Sequence, residues 1–430
     1  MAAQGATDVE SVFREVYGQA VATLVRVFGD ITVAEDAVQD AFVVASDRWG
    51  SGGIPPNPAG WIVTTARNRA IDGLRRSARG RELYEQLGAV ERVSSGADGD
   101  DWGEDGPVSD DQLRLIFTCC HPALRTEHQV ALTLRLLGGL SVDEVARSFL
   151  VSESAMAKRL VRAKYKIKAA KIPYRVPADA DLPERLQSVL SVVYLIYNTG
   201  LDDPERSSLR HEAMRLARAL VELMPDEPEA AGLLALMLLS ESRVPARTAH
   251  EALVLLRDQD RTMWDRAMIE EGHGIVRACI RRGQPGPFQL QAAIQAVHCD
   301  AHTFDVTDWP QIVLLYDHLV AIMPTSVVTL NRAIAIGETE GPGAALTALD
   351  AIASDLDNYH LMHAARGAML RRLGRPQAAA AAYQRASDLA ATQADRQFLA
   401  QQIEELAEGN SAVQHRPDGL AGSQGRTPGR

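Results

Sequence analysis

From Leu182 to about residue 407 the chain reads as one helix after another, and this run limits the possible folds more than any other feature. Leu220-Val221-Glu222-Leu223-Met224-Pro225 recurs as Leu319-Val320-Ala321-Ile322-Met323-Pro324, an offset of 99 residues that is close to three helix-pair units of ~34 residues. Within one unit, the small residues Gly367, Gly374, Ala379 and Ala386 are interspersed with the bulkier Leu370 and Tyr383. Small residues let paired helices approach closely, and stacking the pairs buries a continuous core that no single pair can bury. Pro173, Pro177 and Pro183 mark where this run begins. At 430 residues the chain is long enough for about three domains, and its 5% aromatic content favours helices packed with small side chains.

The net charge of −11 argues against a protein that coats nucleic acid through its whole surface. Local charge differs sharply: Trp61 to Arg81 carries six Arg against one Asp, and Arg147 to Lys171 carries eight Lys or Arg against one Glu. Two basic patches in an acidic chain fit nucleic-acid contact, while the bland reading of either one is a solvated basic helix. Four cysteines, Cys119, Cys120, Cys279 and Cys299, form no CxxC pair, so we expect no metal, with Cys119 and Cys120 as small core residues. Met1 to Glu10 lacks a basic and apolar leader pattern, and no apolar run reaches ~18 residues, so neither export nor a membrane span is expected and a cytoplasmic setting fits. No GxSxG, HExxH or Walker-type loop occurs, and an enzyme with a cofactor is not expected.

The first helical unit, residues 9–79, breaks at Gly29-Asp30 and at Ser51-Gly52-Gly53-Ile54-Pro55-Pro56-Asn57-Pro58, which predicts a loop. After it, Trp61 to Arg76 places Ile62, Ala66, Ala70, Ile71 and Leu74 on one face, leaving Arg67, Asn68, Arg75 and Arg76 to project elsewhere. Residues 80–109 are acidic and Gly-rich and predict a linker. In the unit 110–171, Ser141 with Glu144 predicts a capped helix start, Phe149-Leu150-Val151 a tight turn, and Ser152 the cap of a second helix to about Lys168. That is a helix-turn-helix, whose second helix enters the major groove; its alternative is a plain helical hairpin with a solvated basic face. Met156, Leu160 and Ala163 predict the packed stripe, leaving Ser154, Lys158, Arg159, Arg162 and Lys166 outward. Residues 409–430 are rich in Gly, Ser, Gln, Pro and Arg and predict a disordered tail.

With these motifs in hand, the first ~170 residues resemble an extracytoplasmic-function sigma factor, the compact bacterial type with two promoter-reading domains. Ala34-Glu35-Asp36-Ala37-Val38-Gln39-Asp40-Ala41-Phe42 resembles the helix that binds core polymerase, Trp61 to Arg76 the −10-reading helix, and Leu140 to Lys168 the −35-reading domain. The run 182–408 resembles a tetratricopeptide array, so the whole resembles the subgroup of these factors with a C-terminal tetratricopeptide-like domain. The implied fold is all-α: two small helical sigma domains, the second a helix-turn-helix, then the repeat domain. The implied partners are core RNA polymerase, through its β′ and β subunits, and promoter DNA, with a protein or peptide ligand on the repeat surface. The resemblance assigns Asp36, Gln39, Asp40 and Phe42 to polymerase, Ser51, Asn57, Trp61, Arg67, Asn68, Arg75 and Arg76 to the −10 element, and Ser154, Lys158, Arg159, Arg162 and Lys166 to the −35 element. Trp61 also suits a packing role, and Asn198, Asn331 and His298 read as satisfied core groups rather than ligand contacts. The competing reading is a helix-turn-helix regulator whose helical domain senses a ligand, for which an acidic polymerase-binding helix is superfluous.

Overall fold

The computed structural model describes residues 2–76, 107–149, 151–178, 180–202, 207–249, 252–390 and 392–414. It divides into two compact units, residues 1–234 and 235–430.

The first unit opens with three helices, α1 (Ala2–Phe28), α2 (Ile31–Gly52) and α3 (Pro58–Arg76), each packed on the other two. Asp30 starts α2 by accepting from the Thr32 and Val33 amides. Its predicted end at Ser51 comes two residues later, because Gly53 adopts φ 80° and returns its N–H to the Trp49 carbonyl. The Gly-Pro loop is therefore only residues 53–57. Tyr17, Leu24 and Ile62 are fully buried in the core, with Phe13, Tyr17 and Phe42 stacked on one another.

Next come α4 (Pro107–Cys119) and α5 (Thr126–Leu132), which continues through a π-helical turn at Thr133–Leu137. The predicted linker 80–109 thus yields its last three residues to α4, and residues 77–106 lie outside the described residues. The helix-turn-helix follows as α6 (Val142–Ser148) and α7 (Glu153–Ala169). Ser141 and Glu144 form the expected reciprocal cap, and Ser152 accepts from the Ala155 amide to start α7. Met156, Leu160, Ala163 and Ile167 are its buried stripe, one residue longer than periodicity suggested. Two more helices, α8 (Leu182–Asp202) and α9 (Ser207–Leu223), pair with each other and pack against α4 and α5. Cys119 and Cys120 lie in this core, and burial pushes both thiols up, Cys120 to about 11.

From α10 (Pro228–Glu241) onward the second unit repeats one local plan. Its helices are α11 (Arg266–Arg282), α12 (Pro287–Asp300), α13 (Trp309–Ile322), α14 (Ser326–Thr339), α15 (Pro342–Asp350), α16 (His360–Arg372), α17 (Pro376–Leu389) and α18 (Gln393–Gln414), and from α11 to α18 each packs on its neighbour in sequence. The small residues do what their spacing predicted. A Cβ on Gly367 would meet the Tyr383 ring at 2.7 Å, so only glycine lets α16 and α17 close over that ring. Gly374 makes the left-handed turn between them at φ 68°, and Ala379, Tyr383 and Ala386 are buried. A two-residue ladder, β1 (Thr248–Ala249) with β2 (Ala252–Leu253), is a small exception to the helical plan. Residues 409–414 belong to α18, not to a disordered tail; residues 415–430 lie outside the described residues. Among the described residues no helix is long and apolar enough to cross a membrane.

Candidate nucleic-acid and polymerase interface

The acidic helix α2 turns one row outward. Asp36 and Asp40 are exposed and Gln39 is half-buried, whereas Phe42 points into the core against Phe13 and Tyr17. The surface row contains Val43 instead, 65% exposed and one turn beyond Asp40. Helical geometry explains the exchange, since positions 36, 40 and 43 share a face that position 42 leaves by about 100°. Partial burial and the neighbouring Glu35 and Asp40 carboxylates hold Asp36 above the ordinary carboxylate range, against the pull of Lys164 and Arg135. A basic partner laid on this row would relieve that repulsion.

On α3, Arg67, Asn68 and Arg75 are exposed, with Arg75 3.9 Å from Asp72. Arg76 ends the helix and Ser51 lies in the last turn of α2; the side chains of both fall outside the described residues. Trp61 packs its ring 5.2 Å from the buried Trp49, which places it in the seam between α2 and α3. Asn57 is exposed and accepts from the Gly60 amide at 2.8 Å, capping α3. A Cβ on Gly60 would lie 2.9 Å from the Asn57 amide nitrogen, so a larger residue there would push the Asn57 cap aside.

The outward face of α7 carries Ser154, Lys158, Arg162 and Lys166 as predicted. Between them stand Val161 and Tyr165, 64% and 72% exposed, which sequence reasoning passed over. Exposed apolar and aromatic side chains among these cations suit contact with base edges or sugars. Arg159 is half-buried, stacked over Phe149 at 5.1 Å and 3.8 Å from Glu127, so its guanidinium braces the helix-turn-helix.

Two further basic residues of α7 pair with carboxylates at the start of α2, Lys164 largely covered and Lys168 still exposed. Lys164 donates to Glu35 Oε2 at 2.6 Å, and Lys168 to Asp30 Oδ2 at 3.1 Å. The other oxygen of Glu35, a residue only 5% exposed, accepts from Arg135 Nε at 2.6 Å. Arg135 sits in the π-turn, where the wider coil turns its side chain inward and lets Nη1 reach the Leu140 carbonyl. Arg26 with Asp111, and the Tyr174 hydroxyl on the Ala22 and Asp111 carbonyls, extend the same seam. Burial is the main reason the Asp30 carboxyl is not lower still; the Lys168 bond and the Thr32 and Val33 amides bring it below the ordinary range. Lys164 had a legible signal, since it flanks the Leu160 and Ile167 stripe, where a cation implies a carboxylate in the next layer.

Comparison with known proteins follows the same division. Residues 12–80 match the model of sigma-70 region 2, residues 114–167 that of sigma-70 region 4, and residues 185–280 a family of unknown function, DUF6596. The uncharacterized protein R00370 of Rhizobium meliloti (strain 1021) is 43% identical over 398 residues, 90% of this chain and 93% of that protein. The ECF RNA polymerase sigma factor SigK of Mycobacterium ulcerans (strain Agy99) is 26% identical over 169 residues, 37% of this chain and 83% of that one. Among solved structures, the TPR domain of P58(IPK) aligns with 88% of this chain and 99% of its own at 11% identity and a TM-score of 0.26. The repeat architecture of the second unit therefore rests on its own helix pairs and on contacts such as Gly367 with Tyr383. With both sigma regions present in order and a helical extension behind them, the chain belongs to the extracytoplasmic-function sigma factors that carry a C-terminal helical extension.

Proposed function

We propose that this sigma factor binds core RNA polymerase through the Asp36, Gln39, Asp40 and Val43 row of α2, laid on the β′ clamp helices. Arg67, Asn68 and Arg75 of α3, with Asn57 and Arg76 beside them, then meet the opened −10 element. Ser154, Lys158, Val161, Arg162, Tyr165 and Lys166 of α7 read the −35 element in the major groove. In this reading residues 9–79 and 110–171 are the two promoter-reading domains, and residues 182–408 govern their activity. The observation that carries it is an exposed acidic row and two exposed basic helices within one unit, an arrangement that a simple repressor does not need. Support for control by the extension comes from Arg185 of α8 donating to the Phe117 carbonyl at 2.6 Å and Arg215 of α9 donating to the Leu137 carbonyl at 2.8 Å, which tie its first helix pair to the −35-reading region.

Run-off transcription with purified core polymerase tests this directly. Promoter-specific initiation that requires the protein is expected; its absence, with promoter DNA still bound, would favour the regulator. Arg162→Ala should weaken −35 binding by about 1–3 kcal/mol if it reads a base. A gel shift with unchanged affinity removes Arg162 from the interface. Asp40→Arg should reduce core association, measured by co-elution with core polymerase.

A further inference from the structure

We propose that the second unit carries a binding site for an organic ammonium or guanidinium group, in a cavity of about 410 Å³ walled by Asp258 and Asp305 and floored by Glu338. The inference goes beyond the sigma-factor reading and does not rest on it.

Segments far apart in sequence build the cavity. Arg257 and Asp258 follow β2, Thr303, Phe304 and Asp305 lie in the connection between α12 and α13, Glu338 stands near the end of α14 and Arg372 ends α16. Both guanidiniums are held at the floor. Arg372 donates Nη1 to Glu338 Oε1 at 2.7 Å and Nη2 to the Gly337 carbonyl at 2.9 Å. Arg257 reaches the same Oε1 at 3.4 Å and lies over the Phe304 ring at 4.9 Å. Glu338, its side chain 13% exposed, thus anchors the two cations away from the wall. Asp258 and Asp305 are exposed, and no cation among the described residues pairs with either.

Charge and size select the occupant. Three carboxylates against two guanidiniums give the lining a net charge of −1, and the guanidiniums are already engaged by Glu338. A concave surface with an excess of one sign concentrates ions of the other. A bound cation would give Asp258 and Asp305 charge-assisted hydrogen bonds, and the Thr303 hydroxyl can accept a further N–H. An anion would instead meet three carboxylates. The volume falls in the range of small-molecule sites, and is many times the ~30 Å³ of one water. Among the described residues no group of three His, Cys, Asp or Glu side chains is placed to hold a metal ion, so the chemistry that fits is an organic cation.

Isothermal titration of the full chain with putrescine and with agmatine, at about 50 mM salt where screening is weak, tests the site. Saturable binding at one site is expected. Asp258→Asn and Asp305→Asn, both at exposed positions that tolerate substitution, should each weaken it about tenfold by removing a charge-assisted bond. Arg257→Gln should tighten it about fivefold, because a partly exposed positive charge leaves the lining. A purely structural role for these residues would move stability and not produce opposite changes in affinity. A blocked tripeptide with a central lysine separates the sources of the cation: binding at least as tight as that of the free amines assigns a basic protein side chain, and weaker binding assigns a free small molecule. No saturation by about 10 mM of either amine, beyond the Kd of a weak millimolar site, overturns the proposal. So do aspartate variants that bind like the parent, or sulfate binding that Arg257→Gln abolishes, which would make the cavity an anion site.

Discussion

Arg135→Met lowers the stability of the first unit by about 2–3 kcal/mol, because the buried Glu35 carboxylate loses one of its two cationic donors and the Leu140 carbonyl loses its partner, while Lys164 still neutralises Glu35. Methionine fills much of the same volume, so lost packing contributes little. Urea unfolding followed by circular dichroism measures the change, and a loss under about 1 kcal/mol would refute a stabilising role for the pair. The companion variant replaces all three charges, Glu35→Leu with Arg135→Met and Lys164→Met. It should recover most of the stability, since a packed apolar trio can match or exceed a buried ion cluster.

The second large effect concerns His298 in α12. Its ring is buried against Trp309 at 5.2 Å, and burial, with Arg243 and Arg261 nearby, pushes its pKa down to about 3. Arg261 donates Nη1 to the His298 and Ala301 carbonyls at 2.7 Å and stacks on Trp264 at 4.6 Å, so a cation is fixed beside the imidazole. The folded state therefore resists a proton that the unfolded chain accepts near pH 6.5. Above that pH the imidazole is neutral in both states and costs nothing. As the pH falls below it, the unfolded chain binds the extra proton and stability drops by up to about 1.4 kcal/mol per pH unit until the folded pKa is reached. About 2 kcal/mol should be lost between pH 7.5 and pH 5. His298→Gln should flatten that slope, as measured by thermal or urea unfolding across the range. A variant with the parent's pH dependence would assign the effect to other groups.

His298 was expected to be a satisfied core group, but its Nδ1 has no hydrogen-bond partner, which fits a ring held for its apolar contact with Trp309. Asn331 lies at the surface and Asn198 is half-buried, so neither is the core polar group that apolar flanks suggested.

Local rules were enough wherever a feature depends on near neighbours in sequence. The Ser141 and Glu144 cap, the Ser152 cap, the buried stripe of α7 and the small-residue seam of α16 and α17 were all legible, because helix periodicity and capping act over three to seven residues. The same periodicity put Lys158, Arg162, Lys166, Asp36 and Asp40 outward. Phe42, which the resemblance assigned to polymerase, faces the core instead, because burial is decided one position at a time.

What only the tertiary structure decided was which charges meet across the chain. Glu35 joins Arg135 across 100 residues and Lys164 across 129, and neither separation leaves a trace in composition or period. The π-turn that aims Arg135 inward and the glycine contact between α1 and Leu137 likewise arise from packing. By itself the sequence determined that this protein is a series of helices bearing two basic faces and one acidic one. The tertiary structure decided which of those charges face solvent and which neutralise one another, since Coulomb energy depends on distance in space and on burial rather than on order along the chain.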